Sequence, residues 1–406
     1  MPRKASTESK TSKTATKTAP KTTAKSSAAE VPSTNSDLLD KVSKLSKDYD
    51  SVSVPTFVRS GSAIMDALLG GGIPLGTMIT WSSDSGCGKS TGALHIAHAF
   101  CAQGYKVLYL DFEGGVNTSQ LNNMGLSQYL FDPKANPAGT FYCYMVATYA
   151  DAEKFLDSMM NEVSLVVIDS ATAILTEKIA GESSESIQPG RDSRVMANFL
   201  KKYKAAARRA KCTWLIINQK RTQIRFMGVS TEEAAGGLAL KFYPDINIMM
   251  KKRTGKGNTL ERKERTATGE TLVPFGAICD IYCTKSRYSR PFVSLPITIL
   301  FGQGFSNAWS YYDKLIADGT AVKEGAWITL KMGNTYEKFQ GALKAVDWIQ
   351  NHMREVREYI DAHGGFRLLE NEIAAPAVDL GSYEDENMSE AYADAIQTDG
   401  SDMMEE

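Results

Sequence analysis

The sequence has no apolar run approaching the length of a membrane span, which excludes an ordinary membrane-spanning helix. Histidine is scarce, at four residues, and the six cysteines (Cys87, Cys101, Cys143, Cys212, Cys279 and Cys283) form no CxxC pair, so a zinc centre has no ligand set. Scattered thiols of this kind fit a reducing compartment. Cys279 and Cys283 stand four apart in an alternating segment, which puts both on one face of a strand, in the core. The N-terminus lacks the apolar core of a secretory signal. Its Ser/Thr/Lys/Ala composition overlaps with organellar transit peptides, but Lys stands where Arg is usual, and Glu8 and Glu30 argue against such a leader. No internal repeat is visible.

What is present is uneven. The net charge of -1 conceals seven Lys/Arg and two Glu in residues 1–35, and twelve Asp/Glu with no Lys or Arg in residues 370–406. A basic end and an acidic end on a near-neutral body predict contact with a polyanion and a segment that competes with it. Residues 1–35 hold almost nothing large and apolar and are expected to be disordered, as is the acidic tail 370–406. A helix start at Asn35-Ser36-Asp37 predicts a helix over 37–48, with a short strand over 51–58.

From about residue 60 apolar strands alternate with helices. Strands are predicted at 76–81, 106–111, 141–145, 165–169 and 213–218, and helices at 88–103, 151–161 and 191–210. This alternation predicts an α/β fold whose mostly parallel twisted sheet is flanked by helices. Segment 245–300 alternates like antiparallel strands that extend the sheet, and 310–363 reads as helix, short hairpin, helix. The expected organisation is a basic tail 1–35, a helix-strand arm 36–58, a core 59–305, a small C-terminal α+β lobe 306–369 and an acidic tail 370–406.

The strongest motif is Ser83-Asp84-Ser85-Gly86-Cys87-Gly88-Lys89-Ser90-Thr91, which follows the strand ending at Trp81 and opens a helix. A glycine-rich loop turns backbone N–H groups inward to cradle phosphate oxygens, and the helix N-terminus adds its positive dipole end. Lys89 reaches the β/γ-phosphates and the Ser90 hydroxyl takes a Mg²⁺ ion. Ser83 stands where the first glycine is usual, so that position needs a backbone serine can adopt. Leu165-Val166-Val167-Ile168-Asp169 supplies the second half: a buried strand ending in a carboxylate beside the metal. The strand ending Asp111-Phe112-Glu113 delivers Glu113 to the same crevice as a candidate base for activating water, with a surface or capping role as the alternative.

Together these residues resemble the bacterial RecA recombinases and their bacteriophage relatives. The resemblance runs from about Ser36 to about Ala362. It rests on Ser60-Gly61-Ser62, the run Leu68 to Gly76, the phosphate loop, Asp111-Phe112-Glu113, Leu165 to Ser170, Ile217-Asn218-Gln219, Gly236-Gly237 and Ala239 to Tyr243. It implies a RecA-like P-loop core that binds ATP and Mg²⁺, polymerises as a helical homo-oligomer on single-stranded DNA, and promotes pairing and strand exchange with duplex DNA. It also implies Glu113 as the residue activating water, Gln219 as a switch between ATP and DNA, 176–190 as the first DNA-binding loop and 220–237 as the second. Lys201, Arg221, Gly236 and Gly237 match positions that touch DNA, and Arg191, Arg194 and Arg225 are additional basic candidates. Lys285 and Arg287 take the places of cations that reach ATP on the neighbouring subunit.

The resemblance further implies single-strand-binding and loader proteins as partners, no membrane, and a cytoplasmic setting, on the nucleoid or inside a host cell for a viral member. Three features depart from the common pattern. The aromatic residue that stacks on adenine has no counterpart, and Asn117 and Gln120 fall near its place. The first loop carries Gln188-Pro189 where an intercalating apolar side chain is usual, with Phe226 or Met227 of the second loop as substitutes. The stretch 242–285 is about a dozen residues longer, with Lys251-Lys252-Arg253 and Arg262-Lys263-Glu264-Arg265 suggesting a basic hairpin. A ring helicase on the same fold, a DNA-coating ATP-binding filament without useful turnover, and a ring ATPase acting on protein partners are the alternative readings.

Overall fold

The computed structural model describes residues 55–174, 191–224, 230–234, 237–255, 258–266 and 269–366, together with Asp40, Ser43 and Lys44. The chain divides into two compact units, 1–53 and 54–406. In the first, Asp40, Ser43 and Lys44 are exposed and helical, within the predicted helix 37–48. Both predicted tails and the predicted first loop, 176–190, lie outside the described residues.

The second unit begins with β1 (Phe57–Val58), helix α1 (Ala63–Leu69) and β2 (Ile73–Pro74), the two short strands pairing antiparallel. Ser62 caps α1 by accepting the Met65 N–H, and Gly70 ends it in the left-handed region. Strands and helices then alternate: β3 (Met78–Ser83), α2 (Lys89–Ala102), β4 (Val107–Asp111), α3 (Thr118–Asn123), β5 (Phe141–Met145), α4 (Tyr149–Met159), β6 (Leu165–Asp169), α5 (Arg191–Arg209) and β7 (Thr213–Ile224). There follow β8 (Ser230–Ala234), α6 (Gly237–Phe242), β9 (Ile246–Lys252), β10 (Thr259–Thr266), β11 (Gly269–Lys285), β12 (Ser294–Leu300) and β13 (Gly304–Phe305).

The strands form one eleven-stranded sheet in the order β13-β12-β11-β9-β3-β7-β6-β4-β5, with β10 on β11 and β8 on β7. The stretch from β9 to β5 is parallel, and β11 to β13 add antiparallel strands at one side. Strand periodicity divides the core between two faces. Val107 and Tyr109 of β4 pack on one face with α2, while Leu108 and Leu110 pack on the other with α4 and α5. Helix α2 is buried along almost its whole length, which is why its sequence is apolar all round rather than striped. Cys279 and Cys283 are both buried on β11, facing one core.

The chain ends in α7 (Asn307–Ala317), a three-stranded sheet of β14 (Ala321–Glu324), β15 (Trp327–Met332) and β16 (Thr335–Gln340), then α8 (Ala342–Asn351) and α9 (Met353–Ala362). The hairpin predicted for this lobe is therefore a three-stranded sheet followed by two helices. The lobe has its own core, including Leu315, Ile328, Leu330 and Ile349, which continues into the body through Leu260 and Leu300. The segment read as a second loop is also more ordered than predicted. There β7 runs on to Ile224 and pairs antiparallel with β8, Lys220 opposite Ala234 and Arg221 opposite Glu233.

The basic hairpin needs correction as well. Lys251 and Lys252 end β9, whereas Arg262 to Arg265 lie on β10, and the hairpin is β10–β11. Its cations are matched by carboxylates. Lys263 pairs with Glu270 at 3.0 Å and Arg262 with Glu264 at 2.8 Å, and Glu261 stands among them. The arm is close to neutral, which sequence runs of Lys and Arg did not reveal because Glu270 is contributed by the opposite strand.

Helix α2 meets the sheet closely at Gly92, where a Cβ would come within 2.3 Å of the Trp81 ring and 2.8 Å of Phe305. Gly92→Ala is expected to overpack this contact and lower stability by about 1–3 kcal/mol. Urea denaturation checks it, and an unchanged midpoint would show that α2 has room to shift.

Candidate nucleotide site and nucleic-acid face

The parallel register brings chemically distinct residues to one row of strand ends. Ser83 of β3 lies opposite Gln219 of β7, and Asp111 of β4 opposite Asp169 of β6. Each of these strands points its C-terminal end at the same crevice. From Ser83 the chain turns through exposed Asp84, Ser85 and Gly86 and buried Cys87 into α2. Gly88 begins α2 at φ 80 and ψ 26 without a side-chain cap, leaving the first N–H groups of the helix to the loop interior. Ser83 itself is the last residue of β3 and has no positive φ, so serine suits the place of the usual glycine.

Ser83 also holds Lys89. The Lys89 ammonium donates to Ser83 Oγ at 3.0 Å, to the Ser83 carbonyl at 3.3 Å and to the Asp84 carbonyl at 2.9 Å. Burial pushes the Lys89 pKa down, while nearby anionic groups, Asp169 and Glu113 among them, oppose the shift. Across the crevice Asp169 is buried, and its Oδ2 accepts the Tyr109 hydroxyl at 2.7 Å. Burial raises the Asp169 pKa, and the hydrogen bonds from Tyr109 and Ser90 counter it. Asp169 Oδ1 is buried without a hydrogen-bond donor.

Asp111 organises the next turn. Its carboxylate accepts the N–H groups of Glu113 at 3.1 Å, Gly114 at 2.8 Å and Val116 at 3.0 Å. The turn lifts Glu113 into the open, where its Oε1 accepts from Ser170 Oγ and from Gln219 Nε2 at 3.2 Å. Ser170 in turn contacts Thr172 Oγ1 at 2.9 Å. The structure thus brings Glu113, Gln219, Lys89, Ser90 and Asp169 close together. It adds Tyr109, Asp111, Ser170 and Thr172, which the sequence reading did not single out as site groups. Hydroxyls flanking the strand-end carboxylates were the available signal. Thr91 lies half-buried in the first turn of α2. Asn117 is exposed and caps α3, accepting the Gln120 N–H at 2.9 Å.

The expected nucleic-acid residues are spread over the elements that follow the row. Arg191 begins α5, and Arg194 and Lys201 are exposed on it. Arg221 lies on β7 and Gly237 starts α6, while Arg225 and Gly236 fall outside the described residues. Lys285 and Arg287 do not join the crevice. Lys285 donates to the carbonyls of Phe242 at 2.8 Å and Pro244 at 2.6 Å, just before β9 starts, at the opposite end of the parallel strands from the phosphate loop.

A strand–phosphate loop–helix unit with an acidic strand end beside it, on this strand order, defines a P-loop protein of the RecA-like α/β fold. The family model described as RecA N-terminal domain matches residues 39–306. Protein RecA of Lactococcus lactis subsp. cremoris (strain MG1363) is 30% identical over 317 residues, covering 76% of each chain. Protein RecA of Treponema pallidum (strain Nichols) is 29% identical over 315 residues, covering 76% of this chain and 71% of the relative. A solved structure titled as the RadB recombinase aligns with a TM-score of 0.42 and 20% identity, covering 61% of this chain and 98% of that one. The chain belongs to the RecA family.

Asp111→Ala is expected to free the three N–H groups that its carboxylate gathers and to loosen the turn carrying Glu113. Amide hydrogen exchange at Glu113, Gly114 and Val116 should quicken relative to the parent. Equal protection in the two proteins would mean that the turn is held by other contacts.

Proposed function

We propose that this protein is an ATP-dependent DNA recombinase, which polymerises on single-stranded DNA and promotes homologous pairing and strand exchange with duplex DNA. Hydrolysis is stimulated by DNA and takes place between subunits. The observation that carries the proposal is the contact of Glu113 with Gln219. Glu113 stands beside the phosphate loop, and Gln219 opens the outer half of β7, which continues with Arg221 into the β7–β8 hairpin. Movement of that hairpin on DNA is therefore transmitted to the group proposed to act on water.

Phosphates would be cradled by the N–H groups from Asp84 to Thr91, with Lys89 exchanging the Ser83 and Asp84 carbonyls for phosphate oxygens. Ser90 and Asp169 are the residues that would hold Mg²⁺, and the unpartnered Asp169 Oδ1 fits that part. When bound, the ion neutralises charge on the phosphate oxygens. Glu113 accepts the proton of the attacking water, and Ser170 and Gln219 orient its carboxylate. Asn117 is proposed to border the base. Lys201, Arg191, Arg194, Arg221, Arg225, Gly236 and Gly237 are proposed to meet the DNA backbone, the arginines and lysine by charge and the glycines by close backbone approach.

Lys285 and Arg287 stand at the far end of β3 from their own phosphate loop, so they are proposed to serve the nucleotide of a neighbouring subunit. Cations there stabilise charge that develops on the transferred phosphoryl group. Two variants test this, Lys89→Ala and the double variant Lys285→Ala/Arg287→Ala, each expected to hydrolyse ATP weakly alone with single-stranded DNA. Mixed, they should recover part of the parent rate, because some interfaces join an intact loop to intact cations. Full activity of the double variant alone would reject the shared site.

A further inference from the structure

Arg287 pairs with Asp245, a residue that is only 1% exposed, and Lys285 stands close by. Asp245 is tied to the first residue of β3 twice. Its N–H donates to the Met78 carbonyl at 2.7 Å, and its Oδ2 accepts the Met78 N–H at 3.1 Å. The other carboxylate oxygen faces cations: the Lys204 ammonium of α5 at 3.1 Å and the Arg287 guanidinium at 3.6 Å, both as ion pairs. Lys204 also donates to the Tyr243 carbonyl, and Lys285 holds the carbonyls on either side of it.

Two cations thus pair with one buried carboxylate, and a third, Lys285, stands near them. The surplus of positive charge is directed outward, and the Arg287 side chain is 57% exposed. A buried anion fixed by backbone hydrogen bonds sets the position of cations around it more sharply than a surface pair does, because the charge cannot be left unpaired. Without that anion, Lys204, Lys285 and Arg287 would repel one another and separate. Lys204 sits on the helix that follows the proposed first DNA loop. Phe242 to Pro244 end the segment that follows the proposed second.

We propose that Asp245 and Lys204 are positioning residues, which hold Lys285 and Arg287 in the geometry that meets the triphosphate of a neighbouring subunit. This inference rests on the cross-subunit role given to those two cations above. Asp245→Asn keeps an oxygen for the Met78 N–H and removes the charge. In the full chain with single-stranded DNA it should lower the kcat of ATP hydrolysis at least about tenfold, since misplacement by an ångström of a group acting on the transition state costs up to about 100-fold. The KM for ATP should stay within about twofold, because the phosphate loop of the binding subunit is untouched. Lys204→Gln, whose side chain is partly exposed, should act in the same direction by a few-fold and serves if Asp245→Asn unfolds.

Thermal midpoints are measured in parallel so that loss of fold is not read as loss of position. Mixing Asp245→Asn with Lys89→Ala should recover part of the parent rate, because some interfaces join the intact loop of the Asp245→Asn subunit to the well-placed cations of the Lys89→Ala subunit. A folded Asp245→Asn protein with the parent kcat, or with only KM changed, overturns the inference. If Lys285→Ala/Arg287→Ala is inactive in the same assay, the cross-subunit reading still stands. If that double variant is fully active, the cross-subunit reading fails and the inference falls with it.

Discussion

The site depends on the parallel alignment of strand ends. Parallel strands run the same way, so Ser83, Gln219, Asp169 and Asp111, far apart in sequence, come out at one end of the sheet, Asp111 level with Asp169 and Ser83 level with Gln219 two residues further on. Everything polar in the crevice is then held by groups that the row provides. Asp111 gathers three N–H groups to raise Glu113, Tyr109 steadies Asp169 from within the sheet, and Ser83 seats Lys89. An antiparallel sheet would send alternate strand ends to opposite edges and disperse the set.

Burial gives these charges their value. Lys89 and Asp169 are both pressed toward their neutral forms by loss of water; Lys89 is partly restored by nearby negative charge, Asp169 included, and Asp169 by the hydrogen bonds from Tyr109 and Ser90. Such a pair gains most from an incoming ligand that brings both negative phosphate and positive metal ion. The same physics operates at the other end of β3, where Asp245 gathers Lys204 and Arg287 close to Lys285. One strand therefore has a cradle for anions at its C-terminal end and a cluster of outward-facing cations at its N-terminal end. That polarity suits subunits stacked head to tail.

Much of this was legible in the sequence because it is local. Strands 141–145 and 165–169 fell where the apolar runs lie, and the phosphate loop announced itself by its glycines and by Lys89 and Ser90. What escaped was set by pairing across the chain. The run 220–237 reads as a loop by composition, yet β7 continues to Ile224 because Ser230 to Ala234 supply its hydrogen bonds. The charge of the β10–β11 arm was misjudged since Glu270 comes from the return strand. Tyr109 looks like any aromatic core residue until its hydroxyl is found on Asp169, 60 residues away. Asp245 sits in a Pro-Asp turn whose composition gives no hint of the cations that converge on it.

The central claim is that contact with DNA is read by the row of strand ends and sets the rate of ATP hydrolysis in an open polymer. Hydrolysis by the full chain with and without single-stranded DNA, with electron microscopy of the same samples, tests it most directly. The account predicts a rate that rises with single-stranded DNA together with helical filaments on that DNA. A rate indifferent to DNA, or closed rings in place of filaments, would contradict it.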